Sequence, residues 1–460
     1  MALPLPNIQH VILLMFENRS FDNVLGNFYP GTPDGGGVPK DWSNPWTGNP
    51  PVPAWRAAAG SAAQNMPYPD PQESNVHMAK QINTKPPMMG FVNDYATVKN
   101  AKPANIMQYY VAQNVPVTQA LATTYAVSDR YFASGPVQTW PNRLFSLCGT
   151  PCFDAKTKTA YVNNDKYPWY PLIDGQLDQF SIFEQLDRAG HSWKVYYDDE
   201  APIAAVIKYV NAHWDHIEDG GKVWPFESHP DIFQGDFFDD VKKNRLPTFS
   251  LIEPRYQMLS FRGEIAPNSN HPGDSLPVGD SGISINVSCG EQLLAKVFQA
   301  LVANPALFAS TLLVVTYDEH GGLFDHVTPP NARSPFPPGA VTGFDYSVYG
   351  VRVPALFINP FVKSGIFRPP TTTPPSPPFD HTSLLATLKT QFNLSDSLSP
   401  RVDVAPTLAG LINPSQPAIK TPNIPVPACN WDSSTLRRGH AHPMIRTALW
   451  HAARRRVRRP

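Results

Sequence analysis

HVILLMFENRSFD, residues 10–22, and TLLVVTYDEHGG, residues 311–322, follow one pattern: an apolar run stops abruptly in a cluster of acids. The run His10–Phe16 has no polar alternation and is too short for a typical helix, so it reads as a strand buried on both faces, as in a parallel sheet. Thr311–Tyr317 is the clearest strand of the chain, and Thr248–Ile252, Ser192–Tyr197 (SWKVYY) and Ala355–Ile358 read as further strands. Between them lie helical patterns at Ile106–Ala112 and Val117–Val127, with a break at Pro116, and at Ser181–Ala189 (ended by Gly190), Glu291–Leu301 and Asp380–Phe392. Strands alternating with helices predict an α/β fold with a mainly parallel central sheet covered by helices on both faces. Residues 30–75, crowded with Pro, Gly, Asn and Asp, read as an extended surface loop. Six prolines between Pro369 and Pro378 mark a second insertion. Apolar strands flank both stretches, so residues 1–430 are expected to form one domain, followed by an arginine-rich tail over 431–460.

Composition narrows the class. Only 16% of the 460 residues are charged and 42% are hydrophobic, which excludes a highly charged disordered chain. The 52 prolines are about twice the usual share of ~5%, pointing to long stiff connections rather than a helical bundle. No apolar stretch approaches the ~18 residues of a membrane span, and MALPLPNIQH is not a signal peptide. A cytoplasmic location is the default expectation, or a secreted one if a signal was removed or another export route serves. Four cysteines leave two options: Cys148 pairs with Cys152, or the thiols stay reduced. The formal charge of −1 hides an asymmetry: eight arginines against Asp432 make the tail +7, leaving −8 on residues 1–431. The tail reads as solvated and disordered, or as a contact for anionic lipid; an acidic remainder argues against nucleic acid as a partner.

In open α/β sheets chemistry collects just past the carboxyl ends of strands. Glu17-Asn18 after the first strand and Asp318-Glu319 after the later one are oxygen-donor pairs that could hold a divalent cation, or they cap helices. Ser134–Arg143 (SGPVQTWPNR) sets Thr139 in a rigid, proline-flanked turn before a helical pattern. Its hydroxyl is either a helix cap or a nucleophile prepared beside a cation. His77 in DPQESNVH, His271 in NHPGD and His381 in FDHTS are candidates for contact with phosphate or for proton transfer. Residues 42–55 and 86–91 (PPMMGF) could form an apolar rim for acyl chains, or simply pack inside.

ENRSFD, TWPNR, LPTFSLIEPRY, NHP and TYDEHGGLFDHVTPP occur in this order, and the chain from Ile8 to about Asn393 closely resembles the phosphoesterase family of non-specific phospholipases C and related acid phosphatases. The resemblance implies an alkaline-phosphatase-like fold and a metal-dependent phosphoric ester hydrolase. It implies Glu17, Asn18, Asp318 and Glu319 as metal ligands and Thr139 as nucleophile and further ligand. By the same resemblance His77 and His271 are catalytic, and Asn142, Arg143, His320 and His326 bind substrate. The GPVQT turn before the nucleophile is similar to the plant type. The expected cofactor is a divalent metal ion. The expected substrate is a phosphate ester, foremost a phospholipid cleaved to diacylglycerol and phospho-headgroup at a membrane surface. Hydrolysis of soluble phosphate esters, and a non-catalytic binding protein on the same scaffold, are the competing readings.

Overall fold

A computed structural model describes residues 3–28, 36–60, 64–164, 177–197, 206–213, 223–225, 236–256, 266–273, 286–370 and 377–430. Its centre is an eight-stranded sheet: β1 (His10–Phe16), β2 (Ala126–Val127), β3 (Trp193–Tyr197), β4 (Val223–Pro225), β5 (Phe249–Glu253), β6 (Thr311–Tyr317), β7 (Ala355–Ile358) and β8 (Gly365–Ile366). The spatial order is β8-β2-β7-β6-β1-β5-β3-β4. β1 is parallel to both neighbours, β5 and β6, and the parallel run continues through β3 and β4. β7 alone runs antiparallel to its neighbours β6 and β2. All seven residues of β6 and six of seven in β1 are buried, so both faces of the sheet are covered, as the unbroken apolar runs require. The covering helices form two packed groups. Thr139–Cys148 lies against His381–Gln391 and Ile182–Arg188, and Val287–Val302 lies against Pro116–Thr124, Phe237–Lys242 and Pro305–Ala309. One hydrophobic core runs from Leu5 to Ile424.

Three expectations need correction in local structure. The helix that Pro116 opens at its first position, where its missing N–H costs nothing, stops at Thr124 rather than Val127, since Ala126–Val127 is β2. Residues 103–107 form a 3-10 turn, but Gln108–Tyr109 is extended, because Tyr109 O accepts from Ala57 N and Tyr110 N donates to Asn23 O. Tertiary partners for the backbone override the local helical pattern there. Residues 43–46 and 49–53 pair as a hairpin, so part of the proline-rich insertion is sheet rather than loop. The hairpin belongs to a second core in which Val52, Met88, Phe91 and Tyr95 pack with Leu323 and Phe324. Met88 and Phe91 have no exposed surface, while Pro86 and Pro87 are exposed and Met89 is partly buried.

The cysteines also differ from expectation. Cys289 on helix 287–302 is joined to Cys429, while Cys148 and Cys152 are buried free thiols. The disulfide lays the end of the described chain along that helix, where Gln299 and Gln292 donate to Ile424 O and Pro427 O. The arginine-rich tail, 431–460, lies outside the described residues. Among the described residues, no helix is long and apolar enough to cross a membrane.

Candidate active site

The register of the sheet assembles the site. Phe16 pairs with Tyr317 and Leu14 with Ile252, so the next residues outward on three adjacent parallel strands include Glu17, Asp318 and Glu253. Asn18 adopts φ +56, a left-handed conformation that Asn tolerates better than most residues. This turn aims its N–H at Asp318 Oδ1 (2.9 Å) and its side chain at Thr139. Pairs 300 residues apart in sequence thus meet through one backbone hydrogen bond.

Thr139 is the first residue of its helix, with Gln138 as the N-cap and no side-chain capping bond. The helix-cap reading of Thr139 therefore fails: its Oγ1 donates to Asn18 Oδ1 at 3.2 Å. The turn that holds it is stapled by Asn142, which accepts from Gly135 N (3.1 Å) and donates to Val137 O (2.7 Å). Asn142 is wholly buried, and these bonds make it a support of the turn. Arg143 is buried as well. Its guanidinium meets Asp318 (3.1 Å), Glu253 (3.4 Å) and the carbonyls of Met15 and Phe16, tying helix to strand ends.

His271 reaches the centre. Its Nδ1 lies 2.6 Å from Pro272 O, which can only accept, so the proton sits there. The other nitrogen, Nε2, turns its lone pair to Asn18 Nδ2 at 2.9 Å. His77, in contrast, is bonded to Asp94 (2.7 Å), and the path onward runs through Gln81 to His320 Nε2. The position expected for His77 is taken by Glu73, four residues earlier, which accepts from Asn18 Nδ2 and from Gln138 Nε2 (3.1 Å). His320 is buried beside Glu319, and burial pushes its pKa down to about 3, which keeps it neutral. His326 belongs to a separate buried group in which Arg352 joins Asp22 and Asp325, with His326 Nδ1 2.6 Å from Asp22. His381 Nε2 donates to Asp318 O (2.7 Å) and supports the turn from behind.

Sequence reasoning missed Glu73 and Glu253. For Glu253 a signal existed: FSLIE repeats the pattern of an apolar strand ending in an acid. Glu73 stands in no such pattern.

The electrostatics are unbalanced. Glu17, Glu73, Glu253, Asp318 and Glu319 crowd together with Arg143 as the one guanidinium among them. Burial lifts Glu17 to about 7 and Asp318 to about 6, against the downward pull of Arg143, and it also raises Glu73 and Glu319. Glu319 Oε1 is buried with no hydrogen-bond partner. A buried carboxylate oxygen without a donor is costly unless a cation meets it. Glu17, Asn18, Asp318 and Glu319 therefore fit a hard or borderline divalent cation by donor chemistry and by charge.

Non-specific phospholipase C3 of Arabidopsis thaliana is 33% identical over 440 residues, covering 90% of this chain and 75% of the relative. Phospholipase C A of Mycobacterium tuberculosis is 27% identical, covering 85% of this chain and 74% of its own. Among solved structures, a protein of the alkaline phosphatase superfamily from Vibrio parahaemolyticus aligns at 10% identity with a TM-score of 0.37, covering 86% of this chain and 69% of that one. The profile of the Phosphoesterase family matches residues 8–395, a span that holds every site residue described above, and the chain belongs to that family of phosphoric ester hydrolases.

Proposed function

We propose that the protein is a phospholipase C that hydrolyses glycerophospholipids to diacylglycerol and phospho-headgroup, with Thr139 as nucleophile. The observation that carries the reading is the 3.2 Å hydrogen bond from Thr139 Oγ1 to Asn18, at the first position of a ten-residue helix beside the acids of β1 and β6. Support for a lipid substrate comes from the relatives named as phospholipases C, which match over 85–90% of this chain.

Glu17, Asn18, Asp318 and Glu319 would hold a divalent cation. When bound, such an ion supplies positive charge that favours the ionised hydroxyl and offsets charge gathering on phosphate. The remaining work falls to the chain. Asn18 orients the Thr139 hydroxyl, and Asn142 fixes the turn on which it stands. Thr139 Oγ1 forms a bond to phosphorus as the P–O bond to diacylglycerol breaks, leaving a phosphothreonine. His271 Nε2, with its lone pair turned inward, takes up the proton that Thr139 Oγ1 gives up and passes it to the departing alkoxide. Water then cleaves the phosphothreonine and releases the phospho-headgroup. Arg143 holds Asp318 in place throughout and is a positioning residue.

Phosphatidylcholine vesicles and a soluble aryl phosphate monoester, offered separately, test the reading. Release of diacylglycerol from the vesicles is expected. Turnover confined to the soluble monoester would reject a phospholipase C and favour a phosphatase.

A further inference from the structure

Residues 268–271 (NSNH) form a strap across the carboxyl ends of three adjacent strands. Asn268 N donates to Arg255 O (2.9 Å), just past β5, and Ser269 O accepts from Glu17 N (2.8 Å), just past β1. Asn270 O then accepts from Arg19 Nε (2.8 Å), and Asn270 Nδ2 donates to the hydroxyl of Tyr317 (2.8 Å), the last residue of β6. The strap thus takes its attachments in the spatial order of the strands, β5-β1-β6, and its next residue is His271.

Asn270 is the most constrained residue of the strap. Its φ of +73 is left-handed, which Asn tolerates better than most side chains. It is buried, and helix 287–302 closes over it at Gly290, where an added Cβ would fall 2.0 Å from Asn270 Oδ1. That oxygen has no hydrogen-bond donor among the described residues. A sparsely populated backbone conformation and an unsatisfied buried atom in one residue are costs that collect at functional sites.

Arg19 points the same way. Its side chain is fully buried, yet among the described residues no carboxylate pairs with it; it donates instead to the carbonyls of Asn270 and Met66 and to the hydroxyl of Tyr110. A buried guanidinium without a carboxylate is costly, and what this one holds is the carbonyl next to His271.

The consequence falls on His271. Pro272 O fixes its Nδ1, so the backbone that carries the ring decides where Nε2 lies. Proton transfer to the departing alkoxide needs an approach of about 2.6–3.2 Å. We propose that Asn270, clamped by Arg19, Tyr317 and Gly290, is the positioning residue that holds His271 Nε2 within reach of the leaving-group oxygen. The inference rests on the role given to His271 in the proposed function, and its test separates the two.

Two esters that share phosphocholine and differ in leaving group provide the test. Dihexanoyl phosphatidylcholine, kept below its micellar concentration, releases an alkoxide that needs a proton. p-Nitrophenyl phosphocholine releases a stabilised aryl oxide that does not. The readout is kcat/KM, which covers the steps up to loss of the leaving group, on full-length protein supplied with Mn²⁺. Circular dichroism checks that each variant is folded. Asn270→Gly keeps the left-handed turn and removes the clamped amide, and Tyr317→Phe removes the hydroxyl that the amide holds. Both are expected to lose about tenfold or more on the lipid ester and less than about threefold on the aryl ester, a fraction of the whole contribution of a general acid. His271→Ala should lose more on both, with the same bias toward the lipid ester. Equal losses on the two esters, or no loss, in the folded clamp variants overturn the positioning role, and a biased His271→Ala then leaves the proposed function standing. If Asn270→Gly does not fold, Tyr317→Phe decides by the same criterion. A His271→Ala variant without the bias rejects the proton transfer itself, and this inference with it; a wild type that cleaves neither ester rejects the proposed function as a whole.

Discussion

Thr139 shows how a single atom can be isolated by its surroundings. Gln138 occupies the N-cap, so removing the Thr139 hydroxyl leaves helix 139–148 capped as before. The lost contact is one hydrogen bond to Asn18, worth about 1 kcal/mol. Thr139→Ala should therefore stay folded while turnover falls by roughly 10³-fold or more, in line with nucleophile deletions elsewhere. Thr139→Ser should keep partial activity, because a primary hydroxyl can attack from the same place. Kinetics and a thermal melt on the alanine variant decide: a folded protein with intact turnover would remove Thr139 from the mechanism. This residue was legible in the sequence because a hydroxyl, a proline-flanked turn and the TWPNR match coincide. Glu73 was not. It sits in a loop of no local periodicity, and what brings it to Asn18 is contact with Gly273 and Gly322, some 200 and 249 residues along the chain. The histidine nearby drew attention instead, yet Asp94 holds it elsewhere.

At the level of elements, the sheet reports most of what the sequence carries. β6 and β7 occur at the residues read as strands, because an unbroken apolar run has one stable place in an α/β protein, between two layers of helices. The short strands β2 and β8, two residues each, carry no such run and are fixed only by pairing with each other and with β7. The same parallel register that sets Phe16 beside Tyr317 makes the first and last motifs neighbours, which is why motif order alone located half of the site. Turns are harder to read, since the need for glycine at Gly322 arises from Pro71 and Gln72 crossing over it. That crossing gives a prediction. Gly322→Ala puts a Cβ 2.9 Å from Pro71 Cβ and 2.7 Å from Gln72 O at a left-handed position. A loss of about 1–3 kcal/mol in stability is expected, read as a lower melting temperature. An unchanged melting temperature would mean that segment 70–73 is not seated on this turn.

For the whole molecule, buried charge and the chain's last anchor set the behaviour. Glu17 is raised from 4.5 to about 7 and Asp318 from 3.8 to about 6, burial first, with Arg143 opposing and neighbouring carboxylates adding. Their folded pKa values lie above the unfolded ones, so metal-free protein is favoured at low pH and loses stability as pH climbs from 3.8, where Asp318 begins to titrate in the unfolded chain, to about 7. Glu17 alone accounts for about 3 kcal/mol of that loss. The melting temperature in a chelator should fall between pH 5 and pH 8, and Mn²⁺ should restore it at pH 8 with little effect at pH 5; a flat chelator profile would contradict the buried, raised carboxylates. The covalent anchor is Cys289–Cys429, whose cysteines are 140 residues apart; it was invisible in the sequence because spacing favoured the nearer pair. Reductant should lower the melting temperature by an amount corresponding to roughly 2–5 kcal/mol. That anchor also sets up the test of the tail. Asn430 N–H donates to Ser288 Oγ at 2.8 Å, immediately after the disulfide, so a chain cut after Trp431 keeps both attachments. What is removed is a segment of charge +7 beyond every site residue. Turnover of a soluble ester should then stay within about twofold of the full chain, as for other changes far from packed or catalytic groups. Binding to vesicles of anionic lipid should weaken, and more at low salt than at high, because exposed arginines act through screened attraction to phosphate. If soluble-ester turnover collapsed instead, the tail would have to be part of the folded catalytic body, and the charge asymmetry would be a packing feature rather than a surface one.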